Sequence, residues 1–240
     1  MKTSKHISII HKEKWSSALL IFILSGIAFP RHSKSQTITG IEMAQGELVA
    51  YQPVENMNAI AYDSRYNDED ENNRFDRAIL DYINEMRSDP KAFYQKYVEE
   101  YIREKSARFT ARYTRSLKKD MLHSPALPLF APNATLRKTA HLQLNYLAQY
   151  KGRMLTHEQG NIGFAERMNR AGLHCLAENL YAADHPKALD VVLDLLIDEG
   201  VPSFGHRKNL MSPVYTHIGI VSETPPGGRM IVVMDFGCKK

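Results

Sequence analysis

The sequence predicts an α+β fold in which helices pack on an antiparallel sheet. Two features of the 240-residue chain carry that reading. Helical periodicity dominates the stretch from Asn73 to Gly200, with apolar residues every three or four positions. Short β-rich runs then gather at the C-terminal end, and no internal repeat interrupts the order. Segregated helices and strands of this kind make one layer each and bury their apolar faces against one another.

In the first helix Phe75, Ile79, Ile83 and Met86 share a face, and "SDP" ends it. Asp89 is placed to cap a second helix, with Pro90 at the first position, where no N–H is needed. "KAFYQKYVEEYIREK" continues that helix. A third starts at Asn133 in "APNATLRKTAHLQLNYLAQY", and its buried stripe is Leu136, Ala140, Leu144 and Leu147. "FAERMNRAG" reads as a short helix stopped by Gly172. "DHPKALDVVLDLLIDEG" reads as another, ended by Gly200. Its Ala188, Val192, Leu195 and Glu199 lie on one face, and Asp190, Asp194 and Asp198 form a second stripe. "HIGIVSE" and "RMIVVMDFG" are strands joined by the turn "TPPGG".

The first residues read as a leader rather than as part of the fold. Lys2, Lys5, Lys12 and Lys14 form a basic segment, Ala18 to Phe29 an apolar core, and Ser33 to Ser35 a small-residue cleavage site. That order is a secretory signal peptide over 1–35, and its apolar run is shorter than the ~20 residues of a membrane span. The remaining chain holds 25 Lys and Arg against 26 Asp and Glu, so the basicity belongs to the leader and no global charge points to nucleic acid. With no second long apolar run, the mature chain is expected to be secreted, extracellular or periplasmic, and not integral to a membrane. Residues 36–72 lack a sustained period and end in the acidic run "NDEDENN", predicting a weakly structured arm before a domain over 73–240. Cys175 and Cys238 both fall in the exported part. They permit one disulfide closing a loop of about sixty residues, or two buried free thiols, and the sequence leaves both open.

Three phrases carry candidate chemistry: "MLTHEQG" with His157, "LAENLY" with Glu178 and "FGHRKNL" with His206. They are 21 and 28 residues apart, so only a fold can bring them together. His206 lies in what reads as a surface loop, beside Arg207 and Lys208. Two imidazoles and a carboxylate can hold zinc with an open fourth position, and with a further acid they can equally form a structural hydrogen-bond network. "HEQGN" begins like a zinc-protease motif, but Asn161 stands where the second histidine would be, so that reading is rejected. Ser203 and Ser212 near His206 lack a nucleophile-elbow sequence. Between Arg103 and Lys119 there are seven cations and one acid, with Arg108, Arg112, Arg115 and Lys119 at helical spacing. This is either a solvated helix face or a docking face for anionic lipid or cell-envelope polymer.

"INEMRSDP", "TAHLQLNYLAQ", "LTHEQ", "ERMNRAG", "AENLYAA", "GHRKNLMSPVYTHIGI" and "IVVMDF", in that order over residues 75–237, resemble a bacterial CAP-domain protein. This is the SCP-like superfamily of cysteine-rich secretory, antigen 5 and pathogenesis-related 1 proteins. The resemblance implies a three-layer α-β-α sandwich with a short antiparallel sheet between helices. It also implies a central cleft of two histidines and two acids, associated with a divalent cation, zinc ahead of calcium. On this match His157 is the first histidine, Glu178 the first acid and His206 the second histidine. The fourth position departs from the pattern, because the nearest register places Leu195 there. Glu199, one turn later, is the candidate and Asp198 the weaker one, since a lone carboxylate on that face would need a partner. Arg207 and Lys208 are expected to point outward or to pair with acids such as Asp198. The function these readings support is a secreted binding or structural module with a His/Glu cleft of unspecified ligand, lipid or cell-envelope polymer among the candidates. The alternative is a metal-dependent hydrolase acting on peptide or cell-envelope polymer, with His157 and His206 as ligands and Glu178 as ligand or base.

Overall fold

The computed structural model describes residues 38–42, 71–149, 155–170 and 175–238. The leader read over 1–35, most of the arm over 36–72 and the Gly172 helix stop lie outside the described residues. Within them the predicted helical stripes form. In α1 (Glu71–Ser88) Ile79, Ile83 and Met86 are fully buried and Phe75 half-buried. The chain turns at once into α2 (Pro90–Phe93), because the Asp89 carboxylate accepts a hydrogen bond from Ala92 N at 2.9 Å. A π-helical turn (Tyr94–Val98) leads into α3 (Glu99–Glu104) with Tyr94, Val98 and Tyr101 all buried. α4 (Ala111–His123) buries Tyr113, Leu117 and Met121.

α5 (Ala134–Gln149) starts where Asn133 Oδ1 accepts from the amides of Thr135 and Leu136, and it buries the predicted Leu136, Ala140, Leu144 and Leu147. α6 (Phe164–Arg170) is short. α7 (Ala188–Ile197) ends three residues before Gly200, and its C-cap Asp198 adopts a left-handed backbone with φ 61°. The acidic stripe expected on this helix is not a solvent face: Asp194 and Asp198 are buried. The "GHRKN" stretch, expected as a loop, is the helix α8 (Gly205–Met211).

The five strands are β1 (Ile38–Glu42), β2 (Ala131–Pro132), β3 (Ala177–Ala183), β4 (His217–Glu223) and β5 (Met230–Gly237). They lie in the order β1-β3-β5-β4-β2, antiparallel except that the two-residue β2 runs parallel to β4. Residues 38–42, read as part of the weakly structured arm, are thus an edge strand on β3.

Alternation along the strands feeds two cores. Tyr181, Val232, Met234 and Phe236 pack with α1, α4 and α7 on one face, whereas Leu180, Ala182, Val221 and Val233 pack with Ala140, Leu144 and Leu147 of α5 on the other. This is the three-layer α-β-α arrangement. α5 sits so close to β4 at Gly219 that an added Cβ would lie 2.1 Å from Arg137 N. Cys175, just before β3, is disulfide-bonded to Cys238, just after β5, which decides between the two readings of the thiols. The buried Arg87 guanidinium joins α1 to the far end of the domain through the carbonyls of Pro128, Leu210 and Ser212, and lies 3.8 Å over the Phe130 ring.

Candidate functional site

β3 is buried on both faces and places two neighbouring polar residues on opposite sides of the sheet. Glu178 faces the α5 side and Asn179 the α7 and α8 side. Two separate polar networks follow from that alternation.

On the α5 side, Glu178 accepts from His157 Nδ1 at 2.7 Å through Oε1 and from Arg167 Nη2 at 2.7 Å through Oε2. Both of its oxygens are therefore engaged, and all three residues are at least nine-tenths buried. Glu178 is paired across the sheet with Asp235 of β5, so the two carboxylates share a face. Asp235 Oδ2 accepts from Thr139 Oγ1 of α5 at 2.6 Å, and Arg167 Nη1 lies 3.9 Å from the same oxygen. Burial, and then the neighbouring Glu178 charge, push the Asp235 carboxyl well above the usual carboxylate range, with Arg167 pulling the other way.

On the opposite side, Asn179 Nδ2 donates to the His206 carbonyl at 3.2 Å and its Oδ1 accepts from Asn209 at 2.8 Å. His206 is fully buried, and its Nδ1 is held at 2.6 Å by Asp198 Oδ1. The second Asp198 oxygen accepts from the Arg207 backbone N–H at 3.2 Å, so this carboxylate caps α8 while orienting its imidazole. The left-handed turn at Asp198 makes both contacts possible, since aspartate adopts that conformation more readily than most residues.

Of the two positions expected for Arg207, outward or paired with an acid, it takes the second, and the acid its side chain meets is Asp120 rather than Asp198. Arg207 is 2 % exposed, and its guanidinium donates to the carbonyls of Leu196, Ile197 and Tyr113 and to the side chains of Ser116 and Asp120. Lys208 is exposed. Glu199 lies in neither network: its carboxylate is half-buried and accepts from the Thr110 amide at 2.8 Å, at the start of α4. His157 and Glu178 are thus brought together, whereas His206 is paired with Asp198 across the sheet from them. Among the described residues, no three His, Cys, Asp or Glu side chains are grouped to hold a metal ion. The donor chemistry agrees, because the charge a divalent ion would place on Glu178 is already placed there by Arg167.

Arg167 and Asp235 were missed by motif reading, yet each left a signal. Arg167 lies on the same helical face as Phe164 and Met168, and Asp235 interrupts the apolar run "IVVMDF". A charge on a buried stripe needs a partner, and these two are within reach of each other.

A three-layer domain with a buried His–carboxylate pair on each side of β3 is the class of structure this chain forms. The chain belongs to the CAP family, the cysteine-rich secretory protein family, whose model matches residues 80–236. Among curated proteins, none matches it significantly. A cysteine-rich secretory protein from Staphylococcus aureus is similar at 14% identity with a TM-score of 0.43, covering 71% of this chain and 40% of that one. An outer surface protein from Borrelia burgdorferi is similar at 23% identity with a TM-score of 0.38, covering 54% of this chain and 89% of that one.

Proposed function

We propose that this chain is a secreted CAP-domain binding or structural module, and that its His157–Glu178 pair is part of the domain's internal scaffold rather than a metal centre. Export rests on the leader order over 1–35 and on the family. The observation that supports the scaffold role is the Arg167 guanidinium on Glu178 Oε2 at 2.7 Å. A carboxylate that accepts from an imidazole on one oxygen and a guanidinium on the other already has its charge balanced inside the protein, so a divalent ion would have to compete with Arg167 for it. The hydrolase alternative needs His157, Glu178 and His206 to converge on one cation with a free coordination position. That would require His206, whose backbone Asn179 holds on the other face of β3, to reach the face where Arg167 already shares Glu178, and displacing either contact strands a buried charge or dipole.

Thermal unfolding in chelator and in excess zinc tests this reading. A ligand present at one hundred times its Kd stabilises the folded state by about 2.7 kcal/mol, which a melting curve resolves easily. The expected result is the same melting temperature in both conditions, with Arg167→Ala losing about 3–5 kcal/mol because Glu178 and Asp235 remain buried without their cation. A zinc-dependent rise in the wild type that disappears in His157→Ala, together with chelator-sensitive hydrolysis of a peptide or envelope polymer, would overturn it in favour of the enzyme.

A further inference from the structure

We infer that the exposed face of α4 is a docking surface for a linear polyanion, a polymer of repeating phosphate groups. The inference deepens the reading of the domain as a binding module and uses residues outside both His–carboxylate pairs. It starts from the seven cations between Arg103 and Lys119, which the structure sorts into two sets. Four have acidic partners: Arg103 with Glu100, Lys105 with Asp190 at 3.2 Å, Arg108 with Asp194 at 3.2 Å and Lys118 with Glu99 at 3.8 Å. The Arg108 contact is buried structure rather than docking face, since Asp194 also accepts from Tyr101 and Tyr181. Arg112, Arg115 and Lys119 are exposed, and among the described residues no carboxylate pairs with them. Asp120, the acid carried by α4 itself, is taken by Arg207 at 2.8 Å.

These three cations fall at i, i+3 and i+7, which is one face of the helix. With 1.5 Å of rise per residue they are separated along the axis by steps of about 4.5 and 6 Å. His123, one turn further, extends the same row, with Nδ1 against the Lys119 carbonyl at 2.7 Å. The helix under them is anchored by Tyr113, Leu117 and Met121 in the core, so the spacing of the three positions is fixed. Arg112 is further held over the rings of Tyr113 and Phe204, at 5.6 and 5.7 Å. A straight, preformed row of cations gains most from a ligand whose anions also repeat along a line, because each contact after the first needs no further loss of overall freedom.

The surroundings favour a polymer over the other anionic surfaces. A helix that lies in a lipid interface presents apolar residues beside its cations. Among the described residues the exposed large hydrophobic side chains are Leu142 and Val214, neither of them on α4. Single-stranded nucleic acid takes its affinity partly from stacking on exposed aromatic faces, and the one aromatic residue of α4, Tyr113, is buried.

The test is calorimetric titration of the mature chain with linear inorganic polyphosphate at low salt. It compares the wild type with R112Q/R115Q/K119Q and with K91Q/K138Q/R170Q, which removes the same charge from exposed sites elsewhere. The expected result is at least a tenfold loss of affinity in the α4 variant and less than threefold in the scattered one. Wild-type affinity should fall with salt at a log–log slope near −2, as release of counterions from about three contacts requires. The charge-retaining R112K/R115K should bind like the wild type, and unchanged melting temperatures should show that all variants fold. Equal losses in the two triple variants, or no wild-type binding at low salt, would overturn the inference. Retention on vesicles of phosphatidylglycerol and phosphatidylcholine without polyphosphate binding would overturn it too, in favour of a membrane. Because the zinc-dependent melting experiment does not involve α4, failure here and failure of the scaffold reading are separately visible.

Discussion

Replacing Gly219 by alanine should separate α5 from the sheet. The new Cβ would lie 2.1 Å from Arg137 N, 2.2 Å from Leu136 C and 2.6 Å from Arg137 Cα, whereas ordinary contact begins at 3.4 Å. All three atoms are helix backbone, so no side chain can rotate out of the way. α5 must therefore rise by more than 1 Å, an order-of-magnitude reading of that overlap against the packing density of interiors. The lift opens gaps around Ala140, Leu144 and Leu147 and stretches the 2.6 Å bond from Thr139 to Asp235. Overpacking costs about 1–3 kcal/mol, and a clash between two backbones belongs at the top of that range, about 3 kcal/mol. With a urea dependence near 2 kcal/mol per molar, the unfolding midpoint should fall by about 1.5 M. Gly163→Ala is the control, because its Cβ would meet nothing within 4 Å, and it should change stability by less than about 0.5 kcal/mol. A loss below about 1 kcal/mol for Gly219→Ala would refute the close seating of α5, and with it the support of Asp235 by Thr139.

Two further outcomes follow from buried charge. Arg207→Ala should lose about 3–5 kcal/mol in denaturant, and Arg207→Lys should recover little, since an ammonium cannot reproduce the guanidinium's five contacts. Exposed Lys208→Ala should move stability by less than about 0.5 kcal/mol, and a result reversing the two residues would mean the helix is turned the other way. The pH dependence concerns Asp235, whose folded pKa is raised by burial and by Glu178. Its contribution to stability is fully present below the unfolded value of about 3.9 and is lost as pH rises through the higher folded value. Urea titrations from acid to neutral pH should therefore show a falling component that Asp235→Asn removes. Parallel profiles for the two proteins would show that Asp235 titrates alike folded and unfolded.

Much of the helical layer was legible because one residue type at one spacing has one consequence. Asp89 before Pro90 and Asn133 before "ATL" cap helices wherever they stand, and the stripes of Ile79, Ile83 and Met86 or Leu136, Ala140, Leu144 and Leu147 needed only a core to face. β3 was harder to read, because a strand buried on both faces shows no alternation, and its "AENLYAA" carries two polar residues. The N-terminal edge strand had no period to show, since five residues paired on one side draw their hydrogen bonds from β3.

The sequence by itself determined the family and the helical registers, and it singled out His157, Glu178 and His206, which are all buried and all bonded to partners, but not Arg167 or Asp235. Only the tertiary structure decided which of them meet. Side chains of adjacent strand residues leave on opposite faces, so Glu178 goes to His157 and Arg167, while Asn179 holds the backbone of His206 on the other side. The choice of Asp198 over Glu199 as the partner of His206 depends on a left-handed turn that ends α7 three residues early, and that turn rotates one acid into the core and leaves the next at the start of α4. The sequence says where a carboxylate stands in the chain, but the atoms that fold against it set whether it meets an imidazole, a guanidinium or water.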